Sequence, residues 1–115
     1  MKGGTTAKCG HIYFIKPVGL DGPIKIGWSA RPEGRLFELA SWSPLPLEIM
    51  FIIPGSMQLE ANIHDCFADS WSHHEWFRPT ARLCKLVEDL KTGISIEVAL
   101  DLSDRKGNPR ARRAA

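Results

Sequence analysis

The stretch GPIKIGWS, residues 22–29, follows GHIYFIK, residues 10–16, and the turn-rich PVGLDG lies between the two apolar runs. Each run reads as a β-strand, because β-branched and aromatic residues recur and Gly, Pro and Asp punctuate the gap. The pair is expected to form an antiparallel hairpin with a loop longer than two residues. Placing Tyr13 opposite Lys25 puts Ile12, Phe14, Ile24, Ile26 and Trp28 on one face, which would make a good core face. His11, Tyr13, Ile15, Lys25 and Gly27 fall on the other. A one-residue slip would mix the two sets, since side chains alternate with a period of two. On this reading Tyr13 and Lys25 are cross-strand neighbours on the less buried face.

Outward from the hairpin, SARPEGRLFELASWS reads as a short helix, with Pro32 tolerated in its first turn and Ser29 as a cap. Leu36, Leu39 and Ala40 form its inward stripe, with Arg35 one position off it. PLPLEIMFIIPG carries a strand over roughly residues 47–53, closed by Pro54-Gly55. SMQLEANIHDCFAD is an amphipathic helix capped by Ser56, with Leu59, Ile63, Cys66 and Phe67 inward and Glu60 and His64 on a flank. SWSHHEWFRP is turn-like, with a brief extended piece at Trp76-Phe77. A helix from near Thr80 to Lys91 follows, with Leu83, Leu86, Val87 and Leu90 inward and Gly93 as its stop. ISIEVAL alternates and reads as either an edge strand or an extended linker. Residues 1–9 read as a flexible leader, 10–93 as one α+β domain with a sheet and packed helices, and 94–115 as the edge piece plus a basic tail.

At 115 residues, 43% apolar and 24% charged, the chain is an ordinary globular size with room for one modest core. No run is long enough to span a membrane, and MKGGTTAKCG lacks the apolar centre of a secretory signal. A cytoplasmic location and no membrane partner are the expectation. Cys9, Cys66 and Cys84 show no paired spacing, which argues against a disulfide framework. Cys66 and Cys84 read as core filling, and Cys9 with His11 supplies two ligands of a zinc set that nothing nearby completes. The net charge of +2 is uneven: residues 101–115 carry +3, and the remainder about −1. Such an arm fits either contact with a polyanion or a solubilising tail.

Four residues from four elements then stand out: Tyr13, Lys25, Arg35 and Glu60. A phenol, two cations and a carboxylate are the equipment that phosphodiester hydrolysis needs. Taken singly, each has a plainer reading. Tyr13 suits a half-buried sheet position, Lys25 a solvated strand, Arg35 an ion pair with Glu38, and Glu60 an ordinary helical flank with His64.

The ordered series GHIYFIK, IKIGWS, an arginine eight residues past Gly27, LEANIHDCF and EWF resembles the GIY-YIG nuclease superfamily. It is most similar to the small branch related to T5 phage Orf172 and Mug113-type domains, over about residues 10–91. The resemblance implies a small three-stranded antiparallel sheet flanked by helices. It also implies a divalent-metal-dependent DNA endonuclease that holds one Mg²⁺ or Mn²⁺ ion per site. Tyr13 takes the place of the first-motif tyrosine, Lys25 that of the second, Arg35 is the catalytic arginine and Glu60 the metal-binding glutamate. A lysine at the second tyrosine position is usual in this branch, and the late asparagine of many members has no match here.

In that scheme Lys25 or the metal lowers the pKa of the Tyr13 phenol, or Lys25 instead orients water or clamps the phosphate, and the bare Gly27 lets a backbone phosphate approach. Lys16, Gly27, Arg31, His64, Arg78, Arg110, Arg112 and Arg113 are the candidate nucleic-acid contacts. A homodimer or a larger protein partner would supply specificity. Two rival functions share the fold: a DNA-binding module without cleavage, and an accessory protein-interaction domain.

Overall fold

The computed structural model describes residues 10–105. The leader, Cys9 and the arginines Arg110, Arg112 and Arg113 lie outside the described residues. The chain runs β1 (His11–Pro17), β2 (Ile24–Ser29), α1 (Pro32–Trp42), β3 (Leu47–Pro54) and α2 (Met57–Cys66). A 3-10 turn at Ala68–Ser70 then leads into β4 (Trp71–His73), β5 (Trp76–Phe77), α3 (Ala81–Lys91) and α4 (Ile96–Arg105). The sheet has five strands in the order β3-β1-β2-β5-β4, with every neighbouring pair antiparallel. The expected three strands, β3-β1-β2, form one side of it. The additional β4–β5 hairpin consists of strands of three and two residues with a register shift between Trp71 and His73, too short to carry a periodic signal.

The hairpin forms as expected, but its register differs by two residues. Tyr13 faces Gly27, Phe14 faces Ile26, and Lys25 faces Ile15. An even shift leaves both faces intact, so apolar alternation cannot distinguish the two registers. Gly27 does distinguish them. The Tyr13 ring lies directly across it, and a Cβ there would overlap the phenol. The Trp28 indole covers Gly10 in the same way.

Ile12, Phe14, Ile24 and Ile26 form the core with Ile63 and Phe67 at the end of α2, with Leu83, Leu86, Val87 and Leu90 of α3, and with Ala99 of α4. The opposite face is also buried, contrary to expectation: Tyr13 is 1% exposed and Lys25 7%. Helix α1 meets β1, β2 and β3 and hydrogen-bonds Tyr13 through Arg35, so it covers this second face.

Ser56 and Thr80 cap α2 and α3, accepting from the backbone N–H of Leu59 and Leu83, and Gly93 stops α3 at φ +98°. Ser29 does not cap α1. Its hydroxyl accepts from Arg31 N–H at 2.9 Å, and α1 starts one residue later at Pro32 without a side-chain cap. The α1 stripe is also thinner than expected, since Ala40 is exposed.

The alternating ISIEVAL is not a strand. It opens α4, whose Ile96, Ala99 and Leu100 recur at helical spacing and pack on the core. A short segment can satisfy both periods. Burial of that stripe beside α3 selects the helix, because it removes apolar area from water that an extended edge would leave exposed. Among the described residues no helix is long and apolar enough to cross a membrane.

Candidate nucleic-acid-processing site

Strand β5 pairs with β2 only at Ile24 and Lys25, with one more bond from Ile26 N–H to Glu75 O at 3.0 Å. Beyond that point the β2 edge has no strand partner among the described residues, and buried backbone groups need a hydrogen-bond partner. Helix α2 supplies it with side chains. His64 Nε2 donates to Ile26 O at 2.8 Å, and the Glu60 carboxylate accepts from the Trp28 N–H. The two residues are one helical turn apart, so their spacing matches the two-residue step between exposed groups of a strand edge. The start of α2 is tied to the same strand, because Trp28 Nε1 donates to Gly55 O at 2.8 Å. Glu60 is thereby held where β2 bends away from β5.

Tyr13 approaches from β1 on the covered face. Arg35 of α1 donates to its hydroxyl and also holds Glu38 Oε1 at 2.9 Å. Lys25 Nζ is 2.9 Å from Glu75 Oε1 and 5.6 Å from the Trp76 ring centre. Glu60 lies within electrostatic reach of Tyr13, Lys25, His64 and Glu75. Arg35 is thus hydrogen-bonded to Tyr13, and Glu60 acts electrostatically on Tyr13 and feels Lys25, although the four belong to four separate elements.

The electrostatics depart from the sequence reading at Tyr13. Burial lifts the phenol above its ordinary pKa, the Arg35 hydrogen bond pulls the other way, and Glu75 and Glu60 add to the rise. Lys25 is not among the groups that set this shift, and its ammonium is paired with Glu75 in the turn before β5. Burial likewise raises Glu60, reinforced by Glu75, while His64, Lys25 and the Trp28 N–H oppose the shift. Arg35 is raised by its hydrogen bonds to Glu38 and Tyr13.

The remaining sequence candidates divide. Arg31 and Arg35 line an exposed hollow of about 220 Å³ at the start of α1, together with Gly34 and Glu38. Lys16 is paired with Glu48 at 2.8 Å, and Arg78 donates to Asp69 O at 2.8 Å, so both are engaged within the fold. Gly27 is bare to admit the Tyr13 ring, so the space expected to accept a phosphate is already occupied by that ring. His64 is a sheet-edge donor. The residue that sequence reasoning passed over is Glu75. It stands in the EWF motif, yet nothing in a linear reading says that its carboxylate meets Lys25.

This arrangement of motif residues coincides with a family match: the T5orf172 domain covers residues 10–95. The chain belongs to the T5orf172 domain family. Comparison with curated proteins and with solved structures gave no match. The matched span runs from the residue before β1 to the residue before α4, so every motif of the T5orf172 domain lies within it.

Among the described residues of this T5orf172 domain, no three His, Cys, Asp or Glu side chains are grouped to hold a metal ion. The donor set nonetheless suits a hard divalent ion. Glu60 and Glu75 repel one another in a partly buried setting, and a single carboxylate completed by water and phosphate oxygens is an ordinary Mg²⁺ environment.

Proposed function

We propose that this T5orf172 domain is a GIY-YIG-type nuclease that hydrolyses DNA phosphodiester bonds with one Mg²⁺ or Mn²⁺ ion. The observation that carries the reading is the linkage of the Tyr13 phenol to the Arg35 guanidinium by a hydrogen bond and to the Glu60 carboxylate by charge, with the Lys25 ammonium acting on Glu60. Family membership supports a nuclease-related role, and the motif series supports the finer assignment.

Glu60 is the metal anchor, already oriented by the Trp28 N–H. The ion, when bound, polarises a phosphate oxygen and stabilises the leaving oxygen. Arg35 donates to the non-bridging oxygens, where negative charge grows during attack. Lys25, fixed by Glu75, places a positive charge beside Glu60 and helps to seat the phosphate. Tyr13 takes the proton of the attacking water. Because burial holds its pKa above the ordinary phenol value, the phenolate fraction and the cleavage rate rise with pH on the alkaline side of neutrality. Cutting both strands calls for a second copy or a partner protein, which would also supply target choice.

The test is conversion of supercoiled plasmid with Mg²⁺ or Mn²⁺, using Glu60→Gln as the control. Glutamine keeps an acceptor for the Trp28 N–H but removes the charge, so the fold survives and cleavage falls by about 10²–10³ or more. Cleavage by Glu60→Gln at the parent rate would remove the metal-anchor role.

A second reading is supported by the burial of Tyr13 and the closed Lys25–Glu75 pair. It is a DNA-binding module of the same fold without hydrolysis. A salt-dependent gel shift with no nicked product selects it.

A further inference from the structure

Glu60 and Glu75 also line a second, larger hollow that shares no lining residue with the one at Arg31 and Arg35. It is an open groove of about 600 Å³ that reaches Trp71 on β4. The two hollows differ in chemistry. The α1 hollow carries Arg31 and Arg35. The groove carries Glu60, Asp65 and Glu75 with His64 and His74, and among the described residues no lysine or arginine lines it. Without a bound cation such a wall repels backbone phosphates, whereas a neutral planar group is not repelled.

Trp71 is 51% exposed, yet its indole is fixed. Nε1 donates to His74 O at 2.7 Å, across the turn where His74 holds φ +53°. The same strand is buttressed by Arg78, whose guanidinium bonds Asp69 O and Trp71 O. With its N–H already spent within the fold, the indole has a hydrophobic ring surface to offer a ligand and no donor. A fixed ring of that kind is a stacking platform that accepts any base.

We infer that the Trp71 groove is a nucleobase subsite, in which an unpaired base of a DNA single strand stacks on the indole while its phosphates lie toward Arg31 and Arg35. The inference rests on the nuclease reading and adds a substrate class: the strand at the site is unpaired, as in a single-stranded, frayed or branched segment. A base inside a closed duplex is stacked on its neighbours and has no free face to give the groove. The indole N–H, spent on His74 O, adds no hydrogen-bond readout of its own, so stacking on the ring favours purines over pyrimidines.

The test measures binding without metal, in EDTA, so that it does not depend on cleavage. Fluorescence anisotropy compares a labelled single-stranded oligodeoxynucleotide with its blunt duplex for the full chain, Trp71→Ala, Trp71→Phe and Trp42→Ala. The parent should prefer the single strand. Trp71→Ala should lose about tenfold or more on the single strand and little on the duplex. Trp71→Phe, which also loses the N–H bond to His74, should retain most of the preference because it keeps a ring. Trp42→Ala, at the end of α1 and outside the groove, should match the parent. An oligonucleotide carrying 2-aminopurine should be quenched on binding the unaltered chain, a readout that needs no variant.

Equal single-strand affinity in Trp71→Ala and the parent, equal losses on both DNA forms, or unquenched 2-aminopurine in a formed complex overturns the inference. If Glu60-dependent plasmid cleavage persists in that case, the nuclease reading stands and the base subsite alone falls. If the parent binds no DNA and cuts none, both fall together.

Discussion

Phe14 and Tyr13 are adjacent in β1, similar in size and both fully buried, but they face opposite sides of the sheet. Phe14 enters a core made entirely of apolar side chains from α2, α3 and α4. Tyr13 enters a layer under α1, where its hydroxyl accepts from Arg35, and where Lys25 is buried against Glu75. One face stabilises the fold through removal of apolar area from water. The other keeps polar groups out of water, each with a partner, and the partners are the proposed site. Burial alone therefore does not separate core from site in this molecule; the polar partners brought by α1 and by the β4–β5 turn do.

The contrast can be broken in several ways. Phe14→Ala should have the largest effect, destabilising the protein by about 3–5 kcal/mol in denaturant melts, as expected for truncating a packed aromatic. Gly27→Ala comes next, at about 1–3 kcal/mol, since the new methyl meets the Tyr13 ring and one of them must move. A loss of stability near zero there would mean that the phenol is not seated on the glycine. Tyr13→Phe should cost only about 1 kcal/mol of stability, because it removes one hydrogen bond and little volume. The same variant should lose cleavage, and a large stability loss with unchanged cleavage would make Tyr13 a core residue like its neighbour.

Glu60→Gln sharpens the comparison through pH. Folding raises the Glu60 pKa above its ordinary value of about 4.5, so the folded state favours the protonated form. That stabilisation is fully present below the unfolded value and is lost as pH rises through the folded one. At neutral pH the ionised carboxylate strains the metal-free protein. Glu60→Gln should therefore melt higher than the parent at pH 7, with the gap closing below about pH 4.5. A variant less stable than the parent at pH 7 would show that the Trp28 contact outweighs burial and the repulsion from Glu75.

Much of this was legible in the chain, and the exceptions have specific causes. The strands around Tyr13 and Lys25, the caps Ser56 and Thr80, and the stop at Gly93 follow from local patterns, and so does the division of β1 and β2 into two faces. The hairpin register escaped because a two-residue slip preserves every apolar alternation, and the packing of Tyr13 on Gly27 decides it. Helix α4 escaped because ISIEVAL fits two periods. The extended piece at Trp76-Phe77 is β5, whereas β4 escaped because its three residues are fewer than a pattern needs.

The site followed the same division. Its four residue types, and the motif order that carries the family, can be read along the chain, because both are properties of local sequence. Glu75 as the partner of Lys25, Arg35 as the partner of Tyr13, and the use of Glu60 and His64 to close the β2 edge are pairings between distant elements. Local propensity says which side chains a segment presents. Only packing brings two segments close enough for charges and hydrogen bonds to act between them, and that closeness sets which groups are paired, raised in pKa or left exposed.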